Sequence, residues 1–237
     1  MFKRLIVVFA LMFCVVLSAH ASARQTSLID TPTTNVLGYT NYNMQFRFFG
    51  HGGLMTTAEF GIFNNINIGV SWELANFLGN DRVTVAMPAL LARVRLYSGN
   101  INFPSIAIGY SGQGYFWNTS SNEFVQDPRG LYIVGGKEVF FPTLIINFGF
   151  NVNSLSDMRL FAFTGASVDI IENRLSYMLE WDNINTLKDS RVNTGLRFFA
   201  AQAIALDFYF RDIFAGSDRP GRARAERIVS LSHQRRF

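Results

Sequence analysis

Ile66-Asn67-Ile68-Gly69-Val70-Ser71-Trp72-Glu73-Leu74 alternates without a break between apolar and small or polar residues. Successive side chains of an extended chain point to opposite faces, so this stretch is a strand with two unlike sides. Ile66, Ile68, Val70, Trp72 and Leu74 share one side; Asn67, Gly69, Ser71 and Glu73 share the other. The pattern recurs. Leu144, Ile146, Phe148, Phe150 and Val152 alternate with Asn147, Gly149 and Asn151, and Leu175, Tyr177, Leu179 and Trp181 with Ser176, Glu180 and Asp182. Ile204, Leu206, Phe208 and Phe210 alternate with Asp207 and Arg211.

Working outward from these runs predicts twelve strands, over residues 39–49, 54–63, 66–74, 89–97, 105–117, 130–137, 143–152, 159–168, 174–182, 191–199, 203–211 and 227–233. The sixth, eighth and twelfth are weakly patterned. Connections after even strands are short, as at Asn64-Asn65, whereas three after odd strands (75–88, 118–129 and 212–226) are long. Short turns on one rim and longer loops on the other are the sidedness of outer-membrane barrels, with the short turns in the periplasm. An open sheet with one greasy face has to cover it and protect its edges. A soluble sandwich would bury such faces against each other and carry Lys and Glu outside. Here the polar faces carry Asn, Gly, Ser and isolated charges, and the chain has only three lysines. The expected fold is therefore an all-β, transmembrane, antiparallel up-and-down β-barrel, greasy side to lipid and polar side to a lumen. Its place is the bacterial outer membrane, among lipid and lipopolysaccharide.

The N-terminal region supports export. Lys3 and Arg4 precede the apolar run 5–17, and Ala21-Ser22-Ala23 offers a small-x-small cleavage site. About thirteen apolar residues fall short of the roughly 20 a spanning helix needs. Residues 1–23 thus read as a cleaved signal peptide, 24–38 as an extended periplasmic N-terminal segment and 39–237 as the barrel. The one cysteine, Cys14, leaves with the signal, taking any disulfide or thiolate chemistry with it. Loss of Lys3 and Arg4 leaves 19 of the 21 basic residues against 17 acidic ones, a net charge of about +2. That balance argues against nucleic acid as a partner. The chain ends on Phe237, an aromatic terminus of the kind that barrel-insertion machinery reads, although His233 and Arg235 interrupt the alternation before it. The basic stretch 219–227 is suited to anionic lipopolysaccharide if it lies in the last outer loop.

Eleven charged residues fall on the predicted lumen side: Arg47, Glu59, Glu73, Arg93, Arg95, Glu180, Asp182, Arg191, Arg197, Asp207 and Arg211. A register setting Asp182 against Arg191 is natural across its hairpin, and Arg47 faces the same lumen as Glu59. Two readings are open, ion pairs filling a narrow barrel and a selectivity-setting ring. Balanced signs favour the first. Catalytic chemistry finds no support. Only His51 and His233 outlast the signal; His51 sits in a Gly50-His51-Gly52-Gly53 turn, and Ser232 and His233, adjacent in a strand, point to opposite faces. No Cys/His metal spacing is present, and Gly109 to Gly114 lacks the strand–loop–helix setting of a phosphate loop. A non-enzymatic barrel without cofactor is expected.

Several stretches resemble the YjbH-like outer-membrane barrels: Ile29-Asp30-Thr31-Pro32-Thr33, Phe46-Arg47-Phe48 to Gly52-Gly53-Leu54, and Ile66-Asn67-Ile68-Gly69-Val70-Ser71. So do Ala107-Ile108-Gly109-Tyr110 to Gln113-Gly114-Tyr115, and Glu180-Trp181-Asp182-Asn183 followed by Asn193-Thr194-Gly195-Leu196-Arg197. The resemblance implies the barrel fold and the outer-membrane location, and some members are associated with exopolysaccharide export. The chain is much shorter than those members. The functional expectation is a narrow channel or a structural or assembly component of the envelope. The alternative is a plugged barrel that docks a partner in a larger envelope complex, exopolysaccharide export included.

Overall fold

The computed structural model describes residues 25–141, 143–154, 158–186, 189–215 and 224–237. The predicted signal peptide and most of the basic stretch 219–227 lie outside these. Every regular element among the described residues is a strand: β1 (Asn41–Phe49), β2 (Gly53–Phe63), β3 (Ile66–Ala75), β4 (Thr84–Val85), β5 (Ala89–Tyr97), β6 (Ser105–Ser111), β7 (Tyr115–Asn118), β8 (Glu123–Gln126), β9 (Gly130–Glu138), β10 (Ile145–Val152), β11 (Leu160–Ile171), β12 (Leu175–Asp182), β13 (Arg191–Ala201), β14 (Ile204–Arg211) and β15 (Glu226–Arg236). Each long strand pairs antiparallel with its neighbours in chain order, and β1 pairs with β15 from Asn41 opposite Arg236 to Phe48 opposite Val229. Twelve strands close into a barrel. β4 adds a two-residue extension beside the end of β3, and β7 and β8 form a separate hairpin. The start of β1 and the end of β15 meet on the short-turn rim, where the Phe237 amide donates to the Thr40 carbonyl.

The two-residue period sets the facing. Ile68, Phe148, Phe150, Leu179, Trp181, Phe208 and Phe210 are exposed on the outside, whereas Asn67, Ser71, Glu73, Asn147, Glu180 and Asp207 are buried inside. A barrel this greasy outside and closed around its hydrogen bonds is built for hydrocarbon, where a free edge would leave backbone groups unpaired.

Two expectations are corrected. The fifth predicted strand, 105–117, leaves the wall after Ser111. Gly114 lies where a Cβ would stand 2.4 Å from the Gln126 carbonyl, and Phe116 takes φ 60°, outside the extended region. The chain therefore turns to pair Tyr115 with Gln126 and Trp117 with Phe124.

The second correction concerns residues 24–38, expected as an extended periplasmic segment. Residues 25–37 instead run inside the barrel, doubling back through a tight turn in which the Leu28 amide donates to Thr31 O (2.9 Å) and the Thr33 amide to Thr26 O (2.9 Å). Leu28 and Ile29 are buried against the inward-facing Met55, Met178, Tyr209 and Ile228. These wall residues depart from a polar lumen face for that reason: they seat the turn. Apolar side chains in the segment and an apolar seat in the wall drive it inward, since each such side chain gains roughly 1.5–3 kcal/mol on burial.

Candidate functional site

The site is the contact between that inner segment and the barrel. The turn 28–31 aims three successive backbone amides at one carboxylate. Ile29 N (3.1 Å), Asp30 N (3.1 Å) and Thr31 N (3.0 Å) all reach Glu180 Oε2, and the Thr31 hydroxyl donates to it at 2.7 Å. Asn193 Nδ2 donates to the other oxygen at 2.6 Å. Converging backbone N–H groups form a nest for an anion, and here the barrel wall supplies the anion.

Carbonyls of the segment are met by wall arginines. Arg47 Nη2 donates to Ile29 O (2.6 Å), Arg197 Nη2 to Leu28 O (3.2 Å), and Arg93 Nη1 to Thr26 O and to Asn35 O (3.0 Å). Lower down, Thr26 Oγ1 donates to Glu59 Oε2 (2.7 Å), Gln25 Nε2 to Ser232 Oγ (3.0 Å), and the Leu37 amide to Asn67 Oδ1 (3.1 Å). Contacts to β1, β2, β3, β5, β12, β13 and β15 take the segment from wall to wall.

Asp30, at the tip of the turn, accepts from Arg47 Nη1 (2.9 Å) and from the Tyr115 hydroxyl (2.7 Å); its other oxygen lies 3.5 Å from Arg211 Nε. Burial pushes the Asp30 carboxyl up, but the Arg211 and Arg47 guanidiniums and the Tyr115 hydroxyl overcome that and hold it below the ordinary carboxylate range. Burial raises the Tyr115 phenol, so it stays protonated and donates. The β7–β8 hairpin that delivers Tyr115 is itself tied to the wall: Phe116 N and Trp117 N each donate to the Glu73 carboxylate at 3.0 Å. Above the turn a cavity of about 1450 Å³ extends among the long loops, lined by His51, Gln126, Arg129, Arg191 and Glu226 among others.

All eleven predicted lumen charges point inward. Ten are buried, and Arg95, half-buried near the short-turn rim, stands opposite the buried Ala107. Their partners differ from those expected. Asp182 and Arg191 do face each other in register, yet the Asp182 carboxylate is bridged by Arg129 from the loop before β9, Nη2 to Oδ2 at 3.0 Å. Arg47 binds Asp30, while Glu59 takes Thr26. Arg197–Asp207, at 2.8 Å, does join two wall residues of the predicted set. Sequence reasoning missed Asp30 and Arg129 because neither lies in a predicted strand, and Tyr115 because it carries no charge and the alternation continues the fifth strand through it. One signal was available: Met55, Met178 and Ile228 are apolar at inward positions.

No family model matches the chain, and no curated protein matches it. Among solved structures, the KdgM porin is similar at a TM-score of 0.53 and 11% identity, over 83% of this chain and 99% of that one. The KdgM porin in complex with disordered oligogalacturonate gives the same values. The outer membrane protein Omp33 of Acinetobacter baumannii has a TM-score of 0.43 at 9% identity, over 84% of this chain and 98% of that one. At such identities the likeness to KdgM is one of fold. With its greasy exterior and enclosed polar interior, the chain is a porin-like β-barrel of the bacterial outer membrane.

Proposed function

We propose that the protein is a non-enzymatic, narrow channel whose lumen is closed at rest by its own residues 25–37 and conducts when that segment is displaced. The observation that carries this reading is the turn 28–31, clasped by Glu180 from one side and by Arg47, Arg197 and Arg211 from others. Residues 25–37 take no part in the barrel's strand ladder, their one β-bridge being internal, Ser27 to Pro32, so they can leave while the twelve paired strands remain intact. A barrel that served purely as a wall would need no such clasp. Planar-bilayer recording tests this. Protein lacking residues 25–37 is expected to give stepwise conductance, and the full chain rare, brief openings. Silence from the deleted form at saturating insertion would refute the channel.

A second reading is a permanently plugged barrel that docks a partner in an envelope complex, in keeping with the YjbH-like resemblance. The number of charge-assisted bonds on the segment favours it. Co-purification from gently solubilised membranes would support it, and a lone barrel under those conditions would tell against it.

A further inference from the structure

Asp30 is held as a bound ligand is held. Its carboxylate meets two guanidiniums and a phenol, all buried, and these come from β1, β14 and the β7–β8 hairpin rather than from its own segment. Arg211 stacks over the Tyr115 ring at 3.9 Å, and its Nη1 is buried without a hydrogen-bond partner. Asp30 Oδ2 likewise accepts no hydrogen bond. The cluster therefore has a donor to spare and grips this carboxylate incompletely. Asp30, Arg47, Tyr115 and Arg211 all line the cavity of about 1450 Å³ that extends among the long loops.

When the segment leaves, Arg47 and Arg211 stay behind; among the described residues, Arg211 keeps Glu226 in salt-bridge range, 3.2 Å from Nε, and Arg47 keeps no carboxylate. Buried cations without a counter-charge are costly, and an Arg–Tyr cluster recognises carboxylates by charge-assisted bonds. We propose that Arg47, Tyr115 and Arg211 form the channel's binding site for a carboxylate-bearing polar solute, which Asp30 occupies as an internal surrogate. Solute and segment then compete for one site, and the solute opens its own path. This rests on the closed-channel reading above.

Glucuronate and glucose, which share a ring and differ in the carboxylate, are the probes. On the full-length protein in planar bilayers, millimolar glucuronate on the long-loop side is expected to raise open probability at least tenfold, and glucose to leave it unchanged. In Asp30→Ala, open without solute, glucuronate should instead block current, at least tenfold more weakly once Arg211→Gln is added. Equal action of the two sugars would overturn the site, as would no action of glucuronate on either protein. If Asp30→Ala does not fold, the wild-type measurement decides alone. Should the 25–37 deletion conduct while glucuronate is inert, the site fails and the channel stands. If the deletion is silent, glucuronate binding to solubilised Asp30→Ala by calorimetry still tests the cluster, and no heat there overturns it.

Discussion

Two carboxylates, Asp30 and Glu180, hold the inner turn from opposite ends of its chemistry. Asp30 belongs to the turn and binds wall cations; Glu180 belongs to the wall and binds turn amides. The depressed Asp30 carboxyl fixes a sign. A group that titrates lower when docked contributes fully above its free value, near 4, and loses that contribution as pH falls through the docked value. The Asp30 contribution to closure should therefore hold from neutral pH to about 4 and be lost only below it. Asp30→Asn should be more open at neutral pH and lack that acid step, as bilayer recording across pH would show. For Glu180→Gln, the loss of a charged acceptor for three amides should weaken docking by about 2 kcal/mol, roughly a thirtyfold shift toward open. An unchanged open fraction would mean that the nest does not hold the turn.

At the scale of elements, the inner segment fits because the wall is carved for it. A Cβ on Gly61 would stand 2.1 Å from the Gly38 carbonyl, where the segment passes the short-turn rim. Gly61→Ala thus strikes backbone, and overpacking of this kind costs about 1–3 kcal/mol. A Cβ on Gly165 would stand 2.5 Å from Leu28 Cδ1, which is packed in the seat of the turn, and 3.1 Å from the Glu180 Cβ. We expect both Gly61→Ala and Gly165→Ala to raise protease access to residues 25–37, at least several-fold for Gly61→Ala. The strands themselves were legible in the sequence, with ends within a few residues for eleven of the twelve. Residues 112–117 were misjudged because Gly114-Tyr115-Phe116-Trp117 keeps a strand-like rhythm while its glycine and a positive φ turn it out of the wall.

For the whole molecule, lipid is the medium that stabilises the exterior. Phe148, midway along β10 and exposed, faces it. Phe148→Arg should destabilise the folded barrel by about 2–4 kcal/mol if it sits at the bilayer midplane. The same change at Phe140, in the turn between β9 and β10, should cost little, about 0–1 kcal/mol near the interface. Urea unfolding in lipid vesicles measures both. Equal effects would mean that the apolar belt does not contact hydrocarbon.

The wall is legible in the chain alone: period-two alternation states which side of a strand meets lipid, and connection lengths tell the short-turn rim from the long-loop rim. Both are local, since facing follows from the geometry of one extended chain. The interior was a matter for tertiary structure alone. Whether residues 25–37 hang outside or lie within depends on Glu180, Arg47, Arg197 and Arg211 converging from separate strands on a turn of four residues. No spacing along the chain encodes that convergence, because it exists only once the sheet has closed and brought distant charges around one small volume.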